Sequence, residues 1–301
     1  MGRTVLSLMV AAVLALGVTA SSLPAAGRPT VGLAISTLNN PFFVDLRDGA
    51  QAAAAKAGVT LIVLDAQNDP AKQASSVEDL IAKKVSAVII NPTDSDAIVP
   101  TVKKLNAAKI PVITVDRAAN GGTVAAHIAS DNVAGGRMAA GYVGTRLKGK
   151  GNVVMLEGIA GSSAARDRGK GFRAGLAAFP GIKIVASQTA DFDRAKGLSV
   201  MENVLQAQKK IDAVFAQNDE MALGAIQAIA AAKREKEMFV VGFDAIADAL
   251  KAVDEGKMAA TIAQQPKVMG QLAVQAASTL LKGGKEPKFT AVPLKLVTKS
   301  Q

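Results

Sequence analysis

Apolar runs of strand length alternate with longer stretches of helical periodicity almost without interruption. "TVGLAIS" precedes Pro41–Ala57, "VTLIVLDA" precedes Pro70–Lys84, "SAVIINP" precedes Ser95–Ala108, and "PVITVD" and "VAAHIAS" follow. A second series runs through "GNVVMLEG", "IKIVASQTA", "DAVFAQND", "MFVVGFD" and "ATIAQQP", with helical sequence such as Asp219–Ala232 between its members. The runs are continuously apolar rather than alternating, as expected of parallel strands covered on both faces. They predict an α/β chain of two doubly wound parallel-sheet lobes.

The two series also resemble each other. "VIINPTDSDAI" and "VITVDR" in the first correspond to "VFAQNDEMALGAI" and "VVGFD" in the second, and "DAQNDPAK" to "TADFDRAK". Asn91 thereby matches Asn218, Asp116 matches Asp244 and Asp69 matches Asp193, in one order, which points to duplication. The pattern resets near Ser130–Asp131, and a return of the C-terminal strand pair places further crossings near Gln264 and Leu294. The expected lobes are residues 27–130 plus 265–293 and residues 131–264 plus 294–301, joined by a multi-strand hinge.

Length agrees with two lobes, since 301 residues exceed the size at which one core stops growing. The N-terminus reads "MGRTVLSLMVAAVLALGVTASSLPAAG": a basic residue, a short apolar segment and small residues before a cleavage site. Residues 1–26 are expected to be a cleaved secretory signal peptide. The chain has no cysteine, which excludes disulfides, thiolate metal sites, a cysteine nucleophile and a lipid-anchoring cysteine. A soluble periplasmic protein is the expectation.

The net charge of +10 invites a nucleic-acid reading, but the lysines are scattered along helical stretches. One Tyr and no Trp leave little to interleave with them. A basic surface facing an acidic membrane or partner is the alternative. His127 is the only histidine, so no histidine-based metal cluster is available, and it reads as a packed strand residue. Neither a G-x-S-x-G elbow nor a G-x-x-x-x-G-K-[ST] phosphate loop occurs, and "GIAGSS" lacks dinucleotide spacing. No catalytic residue, metal or cofactor is assigned.

Ligands of open parallel sheets bind beyond the carboxyl ends of the strands, where helix N-termini converge. Ser36, Asn40, Asn91, Asp116, Arg117, Asn218 and Asp244 fall there. Carboxylates accept hydroxyl protons, guanidinium forks donate and amides do both, a set suited to a neutral polyhydroxylated ligand. Taken singly, each reads equally well as a turn or cap: Asn91 precedes Pro92, and Asn218–Asp219 opens a helix. "STLNNPFF" adds two phenylalanines at a helix start, where neighbours diverge by about 100°. Phe42 or Phe43, opposed by Phe192 or Phe243, would sandwich the C–H face of a sugar, with one of the Phe42–Phe43 pair left for the core.

The segments "STLNNPFF", "INPTDSDA", "PVITVDR", "HIASDN", "GIAGSSAARDRG", "ADFDRAKGL", "FAQNDEMALGA", "VVGFD" and "ATIAQ" together resemble the pentose/hexose-binding group of type I periplasmic binding proteins, from about Pro29 to Val297. The resemblance implies that Asn40, Asp116, Arg117, Arg166, Asn218, Asp244 and Gln264 hydrogen-bond a sugar. Phe42, Phe43, Phe192 and Phe243 would pack around it, and Ser36, Asn91 and Ser130 would line the cleft. It further implies capture of D-ribose by a non-catalytic monomer and delivery to the membrane subunits of an ABC importer, with a chemoreceptor as a second candidate partner. Within the same fold, allose, another pentose or autoinducer-2 are the alternative ligands. The effector domain of a sugar-responsive transcription regulator and an enzyme acting on ribose are readings from other classes; a signal peptide stands where the regulator's helix-turn-helix would be.

Overall fold

The computed structural model describes residues 28–299, so the expected signal peptide lies outside the described residues. The first lobe begins β1 (Thr30–Ile35), α1 (Pro41–Ala57), β2 (Thr60–Asp65), α2 (Pro70–Ala82), β3 (Ala87–Ile90), α3 (Val99–Ala107), β4 (Val112–Val115) and β5 (Ala126–Ser130). The chain then crosses into α4 (Asn132–Arg146), β6 (Lys150–Glu157), α5 (Ser163–Leu176), β7 (Gly181–Thr189) and α6 (Arg194–Ala207). The same lobe continues with β8 (Ala213–Ala216), α7 (Asp219–Ala231), β9 (Phe239–Asp244), α8 (Ala247–Asp254) and β10 (Ala260–Ala263). Helix α9 (Pro266–Leu281) returns to pack on α1, β11 (Phe289–Val292) joins the first sheet, and β12 (Lys295–Thr298) joins the second.

The strand orders are β2-β1-β3-β4-β5-β11 and β7-β6-β8-β9-β10-β12, so the sheets correspond strand for strand. They differ at one edge, where β11 runs parallel to β5 but β12 runs antiparallel to β10. The carboxyl ends of the parallel strands face the cleft in both lobes. A chain leaving β11 at the cleft enters the second sheet from that side, and β12 therefore runs away from it. The chain passes between sheets after Ser130, after Gln264 and at Pro293–Leu294, three crossings at the same end of the strands.

Continuous apolar strands do bury both faces: β3 and β8 are buried at every position. The matched acids Asp69 and Asp193 cap α2 and α6, accepting backbone N–H groups at 2.8 Å from Ala71 and Lys196, which stabilises otherwise unpaired helix starts. Helices α4 and α5 pack backbone to backbone through Gly136 and Gly171. A Cβ built at either would lie 2.2 Å from the carbonyl oxygen of Arg168 or 2.1 Å from that of Val133. Only glycine permits that approach, and it sets the depth at which α5 carries its residues toward the cleft.

Candidate functional site

Residues of the first lobe reach the cleft from the first turn of α1 and the end of β4. Asn40 caps α1, its Oδ1 accepting the Phe42 N–H at 2.9 Å. The rings of Phe42 and Phe43 meet edge to face at 5.1 Å and 89°. Asp116, at the end of β4, takes φ +62°, an unfavourable conformation for a residue with a Cβ. Asn91 holds that turn: its Nδ2 donates to Val115 O at 3.1 Å and to Asp116 Oδ2 at 3.2 Å, while its Oδ1 accepts the Ser36 N–H at 3.2 Å. The Arg117 guanidinium lies 5.1 Å from the Phe43 ring and 5.3 Å from Phe192 of the other lobe.

The second lobe contributes Arg168 from α5, Phe192 before α6, Asn218 before α7, Asp244 after β9 and Gln264 after β10. Arg168 is 3% exposed. Its Nε donates to Asn132 Oδ1 at 2.8 Å and its Nη1 to Gln217 O at 2.6 Å. Its Cζ stands 3.9 Å over the Phe243 ring, and Nη1 lies 3.7 Å from Asp244 Oδ1. Gln264 Nε2 donates to the same Asp244 oxygen at 2.7 Å. Asn218 caps α7 through the Met221 N–H at 3.0 Å.

These side chains border a cavity lined by Asn40, Phe42, Phe43, Asp116 and Arg117 from one lobe. Ala164, Arg168, Phe192, Asn218, Asp244 and Gln264 line it from the other. Two carboxylates face two guanidinium groups, so the lining carries no net charge when all four are ionised. Burial lowers Arg117 to about 10 against the opposing pull of Asp116, and lowers Arg168 against Asp244. Burial pushes Asp244 up to about 7, with Arg168 and Gln264 opposing. Two buried polar atoms of the lining, Arg117 Nε and Gln264 Oε1, have no hydrogen-bond partner among the described residues, Nε standing 3.7 Å from Asp116 Oδ2; buried polar atoms are normally hydrogen-bonded, so both retain capacity for a polar ligand.

Of the sequence-predicted residues, Asn40, Phe42, Phe43, Asp116, Arg117, Phe192, Asn218, Asp244 and Gln264 share this cavity. Five do not line it. Ser36, Asn91 and Ser130 are buried behind the lining, and the Asn91 side chain is engaged by protein groups. Phe243 is fully buried beneath Arg168 as a support. Arg166 is corrected outright: it is exposed, donating to Gly161 O at 2.9 Å and, across the cleft rim, to Asn120 Oδ1 at 3.3 Å. Two residues along a helix turn the side chain by roughly 200°, so when Arg168 faces inward Arg166 faces water. The signal was present in the apolar spacing of Ala164, Ala165, Phe172 and Leu176, whose stripe passes through position 168. The core also does not separate Phe42 from Phe43, since both are buried and both border the cavity. His127 is half-buried, with Nδ1 2.9 Å from Thr114 Oγ1 and its ring stacked on Phe289.

Two α/β lobes with a cavity between the carboxyl ends of their strands define a class of solute-binding proteins, and the sequence places the chain in it. Residues 31–286 match the family described as a periplasmic binding protein domain, and the chain belongs to that family. Among its relatives, the ribose import binding protein of Haemophilus influenzae is 50% identical over 283 residues, covering 94% of this chain and 96% of the relative. That of Escherichia coli is 52% identical over 275 residues, covering 91% and 92%. Among solved structures, the Caulobacter myo-inositol binding protein bound to myo-inositol superposes with a TM-score of 0.87 at 36% identity, covering 92% of this chain and 95% of that one. An ABC transporter solute binding protein of Actinobacillus succinogenes with bound D-allose gives 0.85 at 34%, covering 90% and 98%.

Proposed function

We propose that this chain is a periplasmic solute-binding protein that captures D-ribose between its lobes and delivers it to a membrane ABC importer, without catalysis. The observation that carries the reading is the enclosed, charge-balanced lining supplied by both lobes. Asp116 and Asp244 accept sugar hydroxyl protons; Arg117 and Arg168 donate to sugar oxygens; Asn40, Asn218 and Gln264 do both. Phe42, Phe43 and Phe192 cover the C–H faces and exclude water. About half identity to ribose import binding proteins over nearly the whole chain supports ribose as the ligand, and the importer as the partner follows from the same relatives.

Neither lobe holds the full set alone. Sugar seated on one recruits the other, and closure desolvates the network. Charged hydrogen bonds contribute roughly 1.5–3 kcal/mol each, enough for micromolar affinity or tighter, ~8 kcal/mol, after hydroxyl desolvation. The closed form presents both lobe surfaces in one relation for docking. Calorimetry of ligand-stripped protein against ribose, arabinose, xylose, allose, galactose and autoinducer-2 tests the reading. Ribose is expected to bind tightest. A ribose-silent titration overturns it, and a tighter response to allose would move the ligand to a six-carbon sugar, as in the relative solved with D-allose.

A further inference from the structure

Asp219 is fully buried, and no cation is paired with it among the described residues. It does not itself line the cavity, and it is the residue after Asn218, at the first turn of α7. Its Oδ2 accepts the Ile246 N–H at 3.0 Å, and its Oδ1 accepts the Thr261 hydroxyl at 2.7 Å. Thr261, itself fully buried on β10, accepts the Ala245 N–H at 3.2 Å through that same hydroxyl. Asp219 and Thr261 thus take both backbone donors that follow Asp244.

The turn they hold is strained. Asp244 takes φ +122° and Ala245 φ +58°, two consecutive residues with side chains in a region such residues rarely occupy, at a cost of about 1–3 kcal/mol each. Such a backbone persists only where its surroundings over-determine it. Gly242 leaves room for the arrangement, because a Cβ there would lie 2.1 Å from Asp219 Oδ1. In the first lobe the strained Asp116 turn is held by Asn91, the counterpart of Asn218. In the second lobe Asn218 lines the cavity, and the holding role falls to the next residue in the chain.

Building on the proposed function, we infer that Asp219, acting with Thr261, is a positioning residue for sugar binding: it locks the 244–246 turn so that the Asp244 carboxylate and its partner Gln264 face the ligand. Asp219 joins α7, the end of β9 and β10, the three elements that bring Asn218, Asp244 and Gln264 to the cavity. Burial and the nearby Asp244 charge both raise the Asp219 pKa, which accords with a carboxyl kept for geometry.

The test uses Thr261→Val, nearly isosteric with threonine, together with Asp219→Asn and Asp219→Ala. Hydrogen exchange of the ligand-free protein reads the turn directly. Protection is expected to fall first at Ala245 in Thr261→Val and first at Ile246 in Asp219→Ala, and at Ile246 to be partly kept in Asp219→Asn, whose Oδ1 still accepts one N–H. Calorimetry then compares ribose with its singly deoxygenated analogues. Thr261→Val is expected to weaken ribose about tenfold, with the loss confined to the hydroxyl whose removal also ceases to matter in Asp244→Asn; Asp219→Ala is expected to lose more. Unchanged protection at Ala245 and Ile246 overturns the inference, and so does an even loss across all analogues, the signature of a merely structural role. Wild-type protein that binds no ribose overturns the proposed function instead, and the exchange result alone then decides the tether.

Discussion

Replacing Arg168 with methionine removes the guanidinium while keeping a side chain of similar length on a helix whose packing is set by glycine contacts. In the native protein that group makes two hydrogen bonds, at 2.8 Å to Asn132 Oδ1 and 2.6 Å to Gln217 O, and stands 3.7 Å from Asp244 Oδ1. Two costs to binding follow. One charged donor to the sugar is lost, ~1.5–3 kcal/mol. Asp244, already raised to about 7 by burial, also loses the cation that most favours its ionised form and stays protonated at neutral pH. Together these predict an affinity at least ~100-fold weaker. The unpaired Asn132 and Gln217 oxygens cost the fold a further ~1–3 kcal/mol each, so thermal unfolding must first establish that the variant is folded at the assay temperature. Arg166→Ala is the control on the same helix. Its exposed bonds reach Gly161 and Asn120 rather than the cavity, and its affinity should stay within about tenfold of wild type. Titration calorimetry decides: near-native ribose affinity in Arg168→Met, with the loss appearing in Arg166→Ala instead, refutes the assignment.

Ribose affinity should depend on pH through Asp244, which faces Arg168, Arg117, Asp116 and Asp219. Its folded pKa of about 7 lies above the ~3.9 of an unfolded Asp, so this carboxyl's contribution to stability falls as pH rises between those values. Binding runs the opposite way: the hydroxyl-accepting form fills only above about 7, and affinity should weaken by up to ~tenfold per unit below it. A flat titration from about pH 5 to about pH 8 would contradict this. Phe192→Ala should weaken ribose by ~1–3 kcal/mol with little change in melting temperature, because the ring is only partly buried and serves the cavity; equal losses in melting temperature and affinity would make it a core residue. Gly136→Ala should destabilise the second lobe by ~1–3 kcal/mol, since its Cβ would meet the Arg168 carbonyl oxygen at 2.2 Å. An unchanged unfolding midpoint would show that α4 and α5 tolerate separation.

The duplicated strand ends made much of the cavity legible. Asp116 and Asp244 recur because both sheets present their carboxyl ends to one cleft, and continuous apolar strands announced parallel pairing before any geometry was known. Helical phase at the start of α5 was harder to read. "ARDRG" offers two arginines within three residues, and only the stripe running through Phe172 and Leu176 selects Arg168. Asn91 and Asn218 occupy matched positions and both bind backbone, Asn91 at the Asp116 turn and Asn218 at Phe192 O and the start of α7, yet only Asn218 also lines the cavity. A sequence match cannot distinguish them, because the difference lies in which backbone groups come within hydrogen-bond reach.

Local chemistry along the chain therefore determined the elements, their mostly parallel arrangement and the polar residues at the strand ends. Those properties depend on periodicity and residue type, which a linear chain carries in full. Only the tertiary structure decided which arginine enters the cavity, which phenylalanine supports rather than lines it, and which carboxyl holds a strained turn in place. Each of these turns on side-chain direction and on distances of a few ångströms between segments remote in sequence, and such distances exist only once both lobes have packed.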